Sequence, residues 1–152
     1  MNVTGLPHWP QWVLAVHLVC VVIWVGGMVF ALIVLRPALA ALEPAQRVAL
    51  HNRVFRRFFL LIWHAMPIAL ISGYVLLWGI YRGFAHLPWN VNAMQGIAWI
   101  MAIIFVTIVY GPYRRFRAAA STARAAQAAD RIRRLIMINM WLGLIVVVIA
   151  AL

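Results

Sequence analysis

Few side chains in this sequence can do chemistry, and the histidines stand out among them. His17 lies within AVHLVCVVIWVGGMVF (15–30), a run that is otherwise suited to lipid. His64 lies in a second apolar run, and His8 and His86 lie beside apolar runs. Imidazole nitrogen binds copper and haem iron, and Met thioether sulfur favours Cu(I) or one face of a haem. The residues therefore leave two chemistries open, a copper ion and haem b.

Other chemistries lack their sequence signatures. The chain contains no Lys, and its long apolar stretches contain no carboxylate, which excludes a carboxylate proton relay in a membrane. It has no Walker loop and no GxGxxG, GxSxG or HExxH motif, which removes nucleotide binding, serine hydrolysis and zinc proteolysis. The single cysteine, Cys20, excludes an internal disulfide. The sequence favours a protein that is not an enzyme without deciding the question, and a haem-dependent oxidoreductase is the enzyme class that stays open.

The elements that must position these side chains are transmembrane helices. The chain has 152 residues, of which 67% are hydrophobic and 10% charged. A helix of about 20 apolar residues crosses a hydrocarbon core of roughly 30 Å. Four uncharged stretches predict such helices at about 11–35, 58–81, 91–113 and 135–152, with a cytoplasmic hairpin at about 114–134. We expect an all-α, integral membrane four-helix bundle that forms a single domain over residues 1–152.

The arginines predict the orientation of this bundle. All 13 basic residues are Arg, and 12 of them lie in 36–57 or 114–134. Since cytoplasmic loops are enriched in Lys and Arg, both arginine-rich loops are expected in the cytoplasm and both termini in the periplasm. The predicted location is the bacterial inner membrane, with a multi-pass topology. The net charge of +11 indicates contact with anionic lipid in the bilayer and not with nucleic acid.

The depths of the two membrane-embedded histidines differ. His17 lies about six residues into helix one from its outer end, which is roughly 9 Å deep. His64 lies about six residues into helix two, but that helix enters from the inside. The two imidazoles should differ in depth by on the order of 12 Å, which makes them poor candidates for the two axial ligands of one haem.

A ligand cluster is predicted instead on the outer side of the bundle. Helix three runs in the same direction as helix one, so Met94 near its start should lie at the depth of His17. His8 and His86 are expected to reach the same region from the segments above. The sequence also predicts that a stripe through His17 and Met28 points into the bundle, because polar groups facing lipid are costly. The candidate metal ligands are His17, His8, His86, Met94 and Met28, and the candidate cofactor-binding residues are His17, His64 and Trp24.

Four segments resemble the small four-helix bacterial membrane proteins of the copper resistance D (CopD) family. They are HLVCVVIWVGGMVFALIVLRPAL, RFFLLIWHAMPIALISGYVLL, MQGIAWIMAIIFVTIVYGPYRRFRAA and IRRLIMINMWLGLIVV. The resemblance implies copper handling at the inner membrane, with His and Met lining a periplasm-side site. The chain is more distantly similar to HemJ-type protoporphyrinogen oxidases, and that similarity implies a b-type haem with His17 as an axial ligand.

The chain departs from these families at two points. HemJ-type proteins carry an important membrane-embedded Lys, which is missing here, so the oxidase activity is in doubt. Relatives of the CopD type often have a His just before the Met of the third helix, where this chain reads VNAMQ with Asn92. A bis-histidine site between helices one and three would then need His8 or His86.

Copper uptake or copper tolerance is the function that the sequence favours. The alternatives are a b-type haem protein in electron transfer or tetrapyrrole oxidation, and an assembly or scaffold subunit of a membrane complex without a cofactor. A periplasmic copper carrier or a redox partner is the expected partner of the first two. A homodimer is expected if the protein transports an ion, because four helices with so few polar groups hardly enclose an aqueous pore.

Overall fold

The computed structural model describes residues 8–85 and 87–152, and all the regular structure in these ranges is helical. The α-helices are α1 (His8–Val29), α2 (Arg36–Leu39), α3 (Pro44–Tyr81), α4 (Trp89–Ile108), α5 (Arg114–Arg117) and α6 (Thr122–Ala151). Two π-helical segments, Phe30–Leu35 and Val109–Tyr113, join α1 to α2 and α4 to α5.

Four continuous helical rods result from these elements. They span Pro10–Leu39, Pro44–Tyr81, Trp89–Arg117 and Thr122–Ala151, and each is long and apolar enough to cross a membrane. The prediction of an all-helical, multi-pass membrane protein is confirmed. The rods extend beyond the apolar spans expected from the sequence: α3 begins at Pro44 and α6 at Thr122. Arg, Gln and Ala favour helix, so the helices continue where the apolar residues stop.

Short loops make neighbouring rods antiparallel, and the rods pack in two pairs. The first rod packs mainly on α3 and α4 packs mainly on α6, while α6 also contacts α1 and α3. We call one end of the bundle the terminal end, where α1 begins, α6 ends and residues 82–88 connect α3 to α4. The opposite end, formed by residues 36–57 and 114–134, is the arginine end.

One arginine stabilises the turn between the first two rods by hydrogen bonds. The guanidinium of Arg47 donates to the carbonyl oxygens of Leu39 (3.1 Å), Ala40 (3.1 Å) and Leu42 (3.0 Å). These carbonyls belong to the end of a helix and the turn after it, where no helical N–H is available to them. Arg47 thereby caps the first rod from the first turns of α3.

Five aromatic rings fill the core near the arginine end. The Phe59 ring lies 4.7 Å from the Tyr113 ring between centroids, and the Phe55 ring lies 5.4 Å from the Phe116 ring in an edge-on arrangement. Phe105 completes the group at 6.0 Å from Phe59. All five side chains are buried. We call Phe55, Phe59, Phe105, Tyr113 and Phe116 the aromatic layer, which closes the interior of the bundle at this end.

Candidate metal site

His17 lies between the first two rods and is hydrogen-bonded to α3. Its Nδ1 lies 2.9 Å from the carbonyl oxygen of Ala69 and 3.1 Å from Oγ of Ser72. The Ser72 hydroxyl lies 2.6 Å from the carbonyl oxygen of Ile68, to which it donates. The imidazole is half-buried and held from one side by a single turn of α3.

These hydrogen bonds determine which nitrogen of His17 carries the proton. A carbonyl oxygen only accepts, so Nδ1 must carry the hydrogen that points to Ala69. Ser72 uses its own proton on Ile68, so its oxygen also accepts from Nδ1. In a neutral imidazole Nε2 then holds the lone pair. Nε2 makes no hydrogen bond within the described part of the chain, which leaves that lone pair available to a metal ion.

Small residues on α3 create the space for the imidazole. A Cβ placed on Gly73 would lie 3.2 Å from Cε1 of His17 and 3.6 Å from Nδ1, which is closer than most Cβ atoms approach. Ala69, one turn earlier, is buried and packs with Cys20 of α1. The sequence analysis did not identify Ala69, Ser72 and Gly73. Their spacing of three and four residues on one helix face was the available signal.

The stripe that follows His17 along α1 points into the bundle, as the sequence predicts. Trp24 is 4% exposed and Met28 is 2% exposed. Met28 is eleven residues from His17, however, which is roughly 16 Å along a helix. The structure therefore does not bring these two predicted ligands together. Trp24 also lies deeper than His17, and its Nε1 is buried without a hydrogen-bond partner in the described ranges.

Met94 lies near the level of His17 but on the other pair of rods. A Cβ placed on Gly143 would lie 2.8 Å from Cγ2 of Val25 and 3.1 Å from Cε of Met101, so these three residues lie at one level of the bundle. Met94 precedes Met101 by seven residues, and this moves it roughly 10 Å toward the terminal end. The depth agrees with the predicted cluster. The hydrogen bonds of His17 are nevertheless to α3, whereas α4 packs mainly on α6.

His64 lies on a different face of α3 from the residues that hold His17. Its side chain is exposed, and its Nδ1 donates to the carbonyl oxygen of Leu60 at 2.8 Å, one turn earlier in the same helix. Around α3, His64 is roughly 140° from Ala69 and 180° from Gly73. His17 and His64 therefore do not face each other across a shared cavity, and the pair does not fit the two axial positions of one haem.

Two predicted ligands fall where the structure gives no side-chain placement. His86 lies outside the described residues, and of His8 only the backbone, at the start of α1, is described. Among the described residues, no group of three or more His, Cys, Asp and Glu side chains could hold a metal ion. A metal bound at His17 would therefore have to take ligands of other types or from the terminal segments.

Comparison with known proteins adds a family to this geometry. A family model described as copper resistance protein D (CopD) matches residues 52–152, which is well over half of the chain. This chain belongs to the CopD family. Membership makes it a multi-pass membrane protein related to copper resistance and confirms the resemblance seen in the sequence. The comparisons give no support for the similarity to HemJ-type oxidases.

The family match covers only part of the chain. It covers α4, α6 and most of α3, including Ser72 and Gly73. It leaves out α1 and therefore His17 itself. No curated protein and no solved structure matches this chain. The role of His17 therefore has to be argued from its own geometry.

Proposed function

We propose that this CopD-family protein handles copper at the bacterial inner membrane, in copper uptake or tolerance, and that His17 is a ligand of the copper ion. The observation that carries the proposal is the orientation of the imidazole. Its Nδ1 is held by Ala69 and Ser72, while Nε2 keeps a free lone pair. Metal-ligating histidines usually donate their second ring N–H to a carbonyl or carboxylate, which fixes the ring and makes the ligand more basic.

The distribution of arginine supports a periplasmic location for this site. Twelve of the 13 arginines lie in the two segments that form the arginine end. By the positive-inside rule that end lies in the cytoplasm and the terminal end, toward which His17 lies, faces the periplasm. Copper would then reach His17 from the periplasm, delivered by a soluble carrier on that side.

The ligand set that we propose is mixed. Met94 lies near the same depth as His17 and offers a thioether, and His8 and His86 are proposed to supply imidazoles from the terminal end. Nitrogen and thioether ligands suit copper better than they suit Mg²⁺ or Ca²⁺. A homodimer is proposed for any transport role, because the aromatic layer closes the interior of one copy.

A haem finds less support in this geometry than copper does. His17, on α1, is held by the Ala69–Gly73 turn of α3, whereas His64 lies on a different face of α3 and at a different depth, so the two imidazoles cannot bind one iron from both sides. In a scaffold role without a cofactor, His17 would only link α1 to α3, and the lone pair on Nε2 would have no role. The experiment described next distinguishes the copper, haem and scaffold functions.

The test is copper binding by the purified full-length protein in detergent or nanodiscs. We expect wild type to bind Cu(I) under anaerobic, reducing conditions and His17→Ala to lose at least about tenfold in affinity, since a ligand should matter at least as much as its outer-shell partners. His64→Ala is the matched control, because it removes an exposed imidazole from a membrane-embedded helix. Its affinity should equal that of wild type.

Three results would contradict the proposal, each in a different way. Equal Cu(I) affinity in wild type and His17→Ala would remove His17 from the site. A Soret band that disappears in His17→Ala would make the protein a b-haem protein. A His17→Ala variant that folds and retains full copper tolerance in cells would favour the scaffold role.

A further inference from the structure

The middle of the bundle contains a second group of soft ligands. Met28 from α1, Met101 from α4 and Met140 from α6 are buried, with exposed fractions of 2%, 3% and 5%. All three belong to one continuous core cluster. We propose that Met28, Met101 and Met140 form an interior Cu(I) site, separate from His17. This proposal rests on the proposed copper function and extends it.

Gly143 brings the three helices together at this level. A Cβ on Gly143 would lie 2.8 Å from Cγ2 of Val25 and 3.1 Å from Cε of Met101. Met28 follows Val25 by three residues, and Met140 precedes Gly143 by three. Since α1 and α6 are antiparallel, both steps lead toward the arginine end by roughly 4.5 Å. Met28 and Met140 therefore lie at one level, roughly 4.5 Å along the bundle from the level at which the methyl end of Met101 meets Gly143.

An unpaired polar atom belongs to the residue that precedes Met140 in α6. Asn139, the neighbour of Met140 in α6, is 1% exposed, and its Oδ1 has no hydrogen-bond partner in the described part of the protein. A buried amide oxygen without a partner is destabilising, so it calls for an explanation in the structure. A bound cation would give this oxygen a partner.

The chemistry of the ligands identifies the ion. Thioether sulfur is soft and selects Cu(I) over Zn²⁺, Mg²⁺ or Ca²⁺. Thioethers are neutral, so the bound ion keeps its charge in an apolar core, and a monovalent ion suffers a smaller desolvation penalty than a divalent one. The site is therefore suited to the reduced form of copper.

The interior site lies farther into the bundle than His17, along the same helices. Met28 is roughly 16 Å along α1 from His17. On α3, His17 contacts the turn at Ala69–Gly73, and the Phe58 ring lies 3.2 Å from a Cβ placed on Gly27. Met66 falls between these two contact points and packs against the same core. Beyond Met28 and Met140 the aromatic layer closes the interior, so a Cu(I) ion passing inward from His17 would stop at the three methionines.

The experiment counts and characterises Cu(I) ions on the full-length protein. Wild type should bind about two Cu(I) ions per chain, and the triple variant Met28→Leu/Met101→Leu/Met140→Leu should bind about one. Leu and Met have similar volumes, which keeps the core filled. Met137→Leu is the control, because Met137 is exposed on the same helix as Met140, and it should bind as wild type does.

A second measurement does not depend on the folding of the triple variant. His17→Ala, with all its methionines intact, should still bind Cu(I), and X-ray absorption should show sulfur ligands around the copper. Nitrogen and oxygen ligands alone would overturn the interior site, as would a triple variant that keeps both ions. If His17→Ala binds no copper while the triple variant binds as wild type does, the interior site fails and the proposed function stands. If wild type binds none, both fail.

Discussion

At the terminal end the first rod and α3 meet through small and polar groups, whereas at the arginine end the rods meet through aromatic rings. His17 fits against Gly73 and is hydrogen-bonded to Ala69 and Ser72. The aromatic layer instead consists of side chains from α3, α4, α5 and the second π-helical segment, all buried. Hydrogen bonds to an imidazole orient one nitrogen but bury little apolar surface, while five rings bury much surface and offer no metal ligand.

This difference indicates that copper binding at His17 and the stability of the fold depend on different halves of the bundle. The half that contains His17 keeps a polar group in an apolar setting, and the hydrogen bonds to α3 compensate for it. The aromatic layer of the other half packs mainly through ring surfaces. Substitutions in the two halves should therefore change two different measured quantities.

The largest change in stability is expected from Phe59→Ala. Phe59 is 4% exposed and touches Phe55, Phe105 and Tyr113. Removing a buried Phe side chain and leaving a cavity costs about 3–5 kcal/mol in free energy of unfolding. Unfolding of the purified protein in detergent measures this loss. The Cu(I) affinity of the folded fraction should stay at the wild-type value.

The control for Phe59→Ala is Phe30→Ala, since Phe30 is exposed on the first rod. Its free energy of unfolding should change by less than about 1 kcal/mol. The proposed separation of the two halves would be wrong if Phe59→Ala reduced Cu(I) affinity as strongly as His17→Ala.

A smaller loss of stability is expected from a substitution at Gly143, which lies between the two halves. In Gly143→Ala the new methyl group would lie 2.8 Å from Cγ2 of Val25, a branched side chain that cannot move away freely. Overpacking of this kind destabilises by about 1–3 kcal/mol, which thermal or detergent-induced unfolding can measure.

Gly96→Ala is the matched control for Gly143→Ala. A Cβ on Gly96 meets nothing within 4 Å, and Ala favours helix over Gly. The control should be neutral or more stable than wild type. Equal stability of the two alanine variants would show that the close packing of α6 against α1 and α4 at this level is wrong.

The smallest effect is expected from Ser72→Ala, at the terminal end. The variant removes one of two acceptors from Nδ1 of His17 and leaves the carbonyl oxygen of Ala69 in place. One such hydrogen bond is worth about 0.5–1.5 kcal/mol, so Cu(I) affinity should fall by roughly two- to twelvefold. Stability should change little.

Thr107→Val serves as the control for Ser72→Ala, because the Thr107 hydroxyl donates to its own helix, at Ile103, on an exposed face. Its Cu(I) affinity should equal that of wild type. A loss for Ser72→Ala as large as that for His17→Ala would mean that Ser72 does more than hold the ring, for example by binding the ion itself.

Most of the fold was predictable because each segment that crosses a membrane must be apolar over about 20 residues. Apolar length alone predicts four helices, and residues 8–85 and 87–152 contain four rods of suitable length. The helix ends were harder to predict, because charge marks where lipid contact stops and not where the helix stops. The start of α3 at Pro44 shows this, since its first turns carry Arg47 and cap the preceding rod.

The surroundings of His17 were predictable only in part. Helical periodicity predicted that the stripe through His17 faces inward. The hydrogen-bond partners of His17 depend on which helix its side chain faces, and the periodicity of apolar residues does not indicate which helix that is. The sequence favoured Met94, on the third predicted helix (α4), as the neighbour of His17, whereas the hydrogen bonds of His17 are to α3. The burial of Asn139 without a partner for Oδ1 also depends on the packing of α6 and is not visible in the sequence.

The contacts of Arg47 have a consequence for biosynthesis. Every group in them lies between Leu39 and Arg47, so the whole set is present once the ribosome has added the first turns of α3. The turn that reverses the chain can therefore form while most of the second transmembrane segment is still being translated. We expect the first two helices to enter the membrane as a preformed hairpin, ready to pack around His17 before the third helix leaves the ribosome.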